Sequence, residues 1–149
     1  MKDLHKNINQ YTKSGSAPIK AAGLGENTIG IVFMHDAVAQ AASGFPIVTV
    51  APCEGTGYEI GSMSIIAGAR HLDEAQKFYD WALSAEVQSR AKDVKSFQVP
   101  SNRSAEQSPM APDLSTVKLI NYDFITYGSS SERKRLLKKW DDEVSTLPQ

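Results

Sequence analysis

Gly44-Phe45-Pro46-Ile47-Val48-Thr49-Val50-Ala51-Pro52-Cys53-Glu54-Gly55-Thr56-Gly57-Tyr58-Glu59-Ile60-Gly61-Ser62-Met63-Ser64-Ile65-Ile66 is the stretch on which the fold turns. Two apolar, β-branched runs of strand length flank a loop that holds proline, glycine, a threonine and the carboxylates of Glu54 and Glu59. Glycines let a backbone come close to a ligand, and rigid strands fix where the loop's polar groups stand. Glycine and proline also simply turn a chain, so the loop reads as a binding loop or as a connector.

Upstream, Thr28-Ile29-Gly30-Ile31-Val32-Phe33 is a continuous apolar run, the pattern of a strand buried on both faces in a helix-covered parallel sheet. Met34-His35-Asp36 follows, and Ala37, Val38, Ala41 and Ala42 mark a short helix ending at Gly44. Strand, helix and strand in that order predict a parallel crossover and place the chain in the α/β class, with a mostly parallel sheet and flanking helices. Leu4, Ile8 and Tyr11 recur at helical spacing and predict an opening amphipathic helix. Ser16 reads as the N-cap of a helix with Pro18 in its first turn and Ile19, Ala21 and Ala22 beyond.

Downstream, Leu72, Ala75, Phe78, Tyr79, Ala82 and Leu83 predict a helix over 73–84, and 86–91 extends it or begins another. Pro100, Pro109 and Pro112 make 101–113 a long loop or linker, 114–120 is ambiguous, and 121–124 starts a turn. Ser129 and Glu132 form a capping box for a last helix striped by Leu136, Leu137, Trp140 and Val144.

A chain of 149 residues fits one domain and buries about two-thirds of its unfolded surface without needing a disulfide or a metal. Sixteen basic against seventeen acidic side chains give a net charge of -1, which supplies no electrostatic footprint for nucleic acid or an anionic membrane. Cys53 is the single cysteine, so no intrachain disulfide forms, and no apolar stretch reaches membrane-spanning length.

His35 and Asp36 sit just past the carboxyl end of a strand, where open parallel sheets gather ligands; equally, Asp36 caps the helix and His35 fills surface. Glu54 and Glu59 bracket Thr56 and Tyr58. Carboxylates accept hydrogens from polyol hydroxyls, a threonine hydroxyl donates to an anion, and a tyrosine ring covers an apolar sugar face; the alternative is a solvated turn. His35, Asp36, Glu54 and Glu59 offer metal-type donors, but no spacing fixes a coordination geometry, so no metal or cofactor is expected. Cys53 with His35 is a conceivable thiolate pair, but the adjacent Glu54 opposes ionisation and a buried structural cysteine is the favoured reading. The basic run Glu132-Arg133-Lys134-Arg135 with Lys138-Lys139 reads as a solvated face and, less readily, as a docking surface.

Taken together, Leu4-His5-Lys6-Asn7, Gln10 to Ser16, Gly25-Glu26 with Ile29-Gly30-Ile31, Ala51 to Thr56, and Gly68-Ala69-Arg70 with Glu74 to Ser84 resemble the carboxyl-terminal half of a periplasmic substrate-binding protein. The resemblance is to the ferric-iron class of these receptors, which serve ATP-binding-cassette importers, and within it to the hexose-phosphate and phosphonate branch. It implies part of a two-lobed type II fold that closes on ligand by a hinge, a periplasmic location, an inner-membrane permease as partner and no catalysis. Residues 1–50 would belong to the second lobe, 51–100 would return to the first, and 101–149 would pack back on the second. Ferric binders of the class carry adjacent tyrosines after the strand that here ends in Phe33-Met34-His35-Asp36, so a phosphorylated sugar is the expected ligand and iron(III) the alternative. The resemblance puts His35, Asp36 and Glu59 on sugar hydroxyls.

The resemblance also implies that the amino-terminal half, with its signal peptide and most of its phosphate-binding loops, is absent. The expectation is a fragment or single domain whose strand edges are covered by a dimer partner, a swapped element or a separate amino-terminal half. A hydrolase using Cys53 or the His35-Asp36 pair, and an interaction domain docking through its last helix, are the competing classes.

Overall fold

The computed structural model describes residues 1–148. The chain divides into two compact units: 1–13 with 120–149, and 14–119.

The first unit holds α1 (Lys2–His5), α6 (Phe124–Tyr127) and α7 (Ser130–Glu143); α6 packs on α7, and the His5 ring of α1 meets Trp140 of α7. The Ser129 hydroxyl accepts from the Glu132 N–H, so half of the expected capping box forms; the Glu132 carboxylate turns instead to Arg135, with 2.8 Å between Oε2 and Arg135 Nε. The opening helix is one turn long, much shorter than the Leu4-Ile8-Tyr11 spacing predicts. It turns His5 inward and leaves Leu4 exposed. Val144 is buried, and Lys2 pairs with Glu143 at 3.0 Å.

The second unit carries α2 (Ala17–Gly23), α3 (Met34–Ala42), α4 (Leu72–Ala82), α5 (Ala85–Ser89) and a 3-10 helix at Arg90–Val94. The predicted helices over 17–22 and 37–42 are present, the one expected over 73–84 runs Leu72–Ala82, and 86–91 falls in the separate α5 with its 3-10 extension. Ser16 stands at the N-cap of α2, yet its side chain makes no cap bond. α2 packs against α3, and a Cβ at Gly23 would lie 3.1 Å from the Phe45 ring, so α2 also sits on the extended segment after α3. Gly30 brings its own segment still closer: a Cβ there would come within 2.7 Å of the Pro18 carbonyl oxygen.

The predicted strands are extended segments that form no β-ladder among the described residues; one isolated parallel bridge joins Thr56 to Leu119. Along 29–33 and 45–51 exposure alternates residue by residue. Gly30, Val32 and Thr49 line a small cavity with Ile19 and Ala37, whereas Ile29 is 80% and Ile31 69% exposed. The expectation that 28–33 is buried on both faces is therefore corrected: α2 and α3 cover one face, and the other stands open.

Candidate ligand-binding site

α3 begins directly behind the extended run that ends at Phe33. Phe33 is its N-cap, in extended conformation and without a side-chain cap bond, so Asp36 is the third helical residue and does not cap the helix. Its carboxylate stands 3.7 Å from His35 Nε2 (Oδ1), in the helix's first turn, where negative charge is favoured. The His35 ring stacks on Phe33 with centroids 5.5 Å apart and planes 13° from parallel. Its Nε2 also lies 3.3 Å from the side-chain nitrogen of Gln98, contributed by the extended segment after the 3-10 helix. Both His35 and Asp36 are half-buried. Gln98 escapes a sequence reading because a lone glutamine in a polar stretch carries no spacing signal.

The central loop is built differently. Pro52 accepts from the Gly55 N–H at 3.1 Å, closing a turn, and Gly55 takes φ +122°, a region that favours glycine. The Thr56 N–H then donates to the Lys118 carbonyl at 2.9 Å, which pins the loop to the segment before 120. Glu54 is exposed; its own backbone N–H first, and the Cys53 thiol at 3.4 Å second, hold its carboxyl below the usual glutamate range. It is thus a charged acceptor. Cys53 is exposed, which overturns the buried structural cysteine, and its thiol is a donor to Glu54. Tyr58 and Glu59 stand exposed at the start of the second apolar run.

The structure therefore joins His35 with Asp36 and Gln98 in one cluster and holds Glu54 and Thr56 in a fixed turn. The hydrogen bonds and ion pairs of His35 run to Asp36 and Gln98, not to Glu54 or Glu59. A larger open groove of about 300 Å3, between Met63–Ile66 and the Ala75, Phe78 and Tyr79 face of α4, is apolar and holds none of the predicted site residues. Among the described residues no three His, Cys, Asp or Glu side chains gather to hold a metal ion, and no helix is long and apolar enough to cross a membrane.

The chain as a whole has counterparts elsewhere. The periplasmic binding protein AfuA from Actinobacillus pleuropneumoniae, solved with exogenous fructose-6-phosphate bound, superposes with a TM-score of 0.90 at 53% identity, covering 98% of this chain and 46% of that one. The periplasmic binding protein P5PA superposes at 0.85 with 36% identity, covering 97% of this chain and 46% of its own. An uncharacterized protein of Haemophilus influenzae is 51% identical over 145 residues, 97% of this chain and 42% of that protein. The chain thus spans somewhat under half the length of these relatives. Residues 1–127 match the bacterial extracellular solute-binding protein family, and the chain belongs to it.

Proposed function

We propose that this chain supplies part of the ligand cleft of a periplasmic solute receptor that delivers a phosphorylated sugar, or a related organophosphate or phosphonate, to an inner-membrane ATP-binding-cassette permease. The observation that carries the reading is the His35-Asp36 pair, which stands just past a strand-like segment, leaves Asp36 free of capping duty, and has its ring braced by Phe33 and Gln98. An imidazole donor beside a carboxylate acceptor matches a polyol, whose hydroxyls both donate and accept. Glu59, Glu54, Thr56 and Tyr58 furnish the second set of contacts from the central loop. A 53% identical protein solved with fructose-6-phosphate supports this class over iron(III), as does the run Phe33-Met34-His35-Asp36 where ferric binders of the class carry adjacent tyrosines. No residue is assigned a catalytic step.

The same reading accounts for the open apolar faces. Ile29, Ile31, Val48 and Val50 are all exposed. We assign those faces to a mostly parallel sheet completed by the portion of the family fold that the chain does not span. In that arrangement 1–50 and 101–149 serve one lobe and 51–100 the other. The test mixes the chain with the complementary portion of the 53% identical relative and sizes the product by light scattering. A one-to-one complex is expected; a stable, well-behaved monomer that ignores the added portion, or a homodimer, overturns the completed-sheet assignment.

Calorimetric titration of that complex then tests the ligand. Fructose 6-phosphate is expected to bind at micromolar affinity or tighter, with His35→Ala and Glu59→Ala each weakening it at least tenfold. Tighter binding of ferric citrate, or binding indifferent to both substitutions, overturns the reading.

A further inference from the structure

Gln98 is held in place from both sides. On one side the 3-10 helix ends at Lys95, a non-glycine residue in the left-handed region at φ +59°, and the Ser96 N–H returns to the Ala91 carbonyl at 3.0 Å. Next comes Phe97, which is 6% exposed and anchors the segment; side chains alternate in extended backbone, so a buried Phe97 turns Gln98 to the opposite side. On the other side, the Gln98 amide nitrogen meets His35 Nε2 at 3.3 Å.

An amide NH2 can only donate. The ring nitrogen facing it therefore accepts, and a neutral imidazole that accepts at Nε2 carries its hydrogen on Nδ1. Asp36 Oδ1, 3.7 Å from the same Nε2, is beyond hydrogen-bond reach. Phe33, stacked on the ring, fixes its plane, so the ring nitrogen left over has a defined direction.

We infer that Gln98 is a positioning residue for the ligand site: it occupies His35 Nε2 and thereby sets the imidazole to offer an Nδ1–H donor to a hydroxyl or phosphoryl oxygen of the ligand. The inference rests on the sugar-phosphate reading for the ligand and on the structure alone for the tautomer. It gives the site one fixed donor beside the Asp36 acceptor, and that pair discriminates ligands by the direction of their hydrogen bonds.

The test has two readouts. Long-range nitrogen–proton NMR of the imidazole in the labelled chain, without ligand, is expected to show the Nδ1–H tautomer at His35. Gln98→Glu keeps the shape but only accepts, and is expected to invert the ring to Nε2–H; Gln98→Leu is expected to release it. Calorimetry on the chain assembled with its complementary portion should then show fructose 6-phosphate binding about tenfold weaker in both variants, the size of one lost oriented hydrogen bond. A side chain that merely filled space would leave the tautomer unmoved in the Glu variant. An Nε2–H ring in the unsubstituted protein, or a tautomer indifferent to both changes, overturns the assignment. A tautomer that inverts while affinity stays constant overturns the role in binding and leaves the sugar-phosphate reading standing. If the unsubstituted complex binds no sugar phosphate, the reading fails, whatever the tautomer shows.

Discussion

His5 and His35 differ by one hydrogen bond, and that bond separates a structural histidine from one with a nitrogen to spare. His5, the last residue of α1, is 3% exposed. Its Nε2 lies 3.0 Å from the Leu147 carbonyl, which can only accept, so Nε2 carries the hydrogen; Nδ1, 3.0 Å from the Tyr11 hydroxyl, accepts. Tyr11 stacks on the ring at 5.6 Å, and Trp140 meets it edge-on at 6.1 Å. Both nitrogens are consumed, as a buried ring requires. His35 has the same ring and a stacked aromatic, yet its contacts engage Nε2 and its opposite tautomer follows. A histidine's availability is thus decided by how many of its nitrogens the fold occupies.

The largest effect expected from this contrast is on stability. His5→Ala leaves the Leu147 carbonyl and the Tyr11 hydroxyl without their partner and opens a cavity, and should cost about 2–4 kcal/mol. His35→Ala, at a half-buried site, should cost under about 1 kcal/mol. Urea unfolding monitored by Trp fluorescence measures both. Equal losses would erase the distinction between them.

Next in size is Gly30→Ala. Its Cβ would meet the Pro18 carbonyl at 2.7 Å, and neither backbone can yield cheaply, so a loss of about 1–3 kcal/mol is expected. The same push shifts the run that ends in Phe33, and so unseats the ring that braces His35. His5, in the other unit, should keep its tautomer and its NMR shifts. A loss of stability without any change at His35 would detach the Gly30 contact from the site.

The sequence made the helical part of this legible. α4 follows from the spacing of Leu72, Ala75 and Phe78, and α7 from Ser129 and Glu132, because those signals are local. His35 and Asp36 were also legible, as polar residues directly behind an apolar run. His5 was not: helical spacing singled out Leu4, and only contacts to Leu147 and Trp140, far along the chain, turn the histidine inward. Gln98 was hidden for the same reason, standing 63 residues from its partner. The run 28–33 misled in another way. Its composition describes a strand covered on both faces, whereas α2 and α3 cover only one of them here.

Tyr11→Phe sharpens the histidine contrast at smaller scale. Losing the hydroxyl should cost about 1 kcal/mol, yet His5 should remain Nε2–H, because the Leu147 carbonyl still demands a donor. Gln98 substitution inverts its histidine and Tyr11 substitution does not, which one NMR experiment on both rings reads directly. A switch of tautomer at His5 would show that the hydroxyl, not the carbonyl, sets that ring.

The smallest effect concerns acid. Asp123 caps α6, and hydrogen bonds from Thr126, its hydroxyl first and its N–H second, together with the Ile125 N–H at 3.0 Å, hold its carboxyl below the usual aspartate range. A carboxyl depressed in the folded state binds its proton more readily when unfolded. Its stabilisation is therefore complete above the ordinary aspartate value, about 3.9, and is lost as pH falls through the lower folded value. Asp123→Asn keeps an oxygen acceptor at the cap but has no proton to gain. The stability difference between the unsubstituted protein and this variant, followed by urea midpoint from pH 6 downward, should hold steady to about pH 4 and then shrink. A difference that stays constant well below about pH 4 would show that the Asp123 carboxyl does not carry this acid dependence.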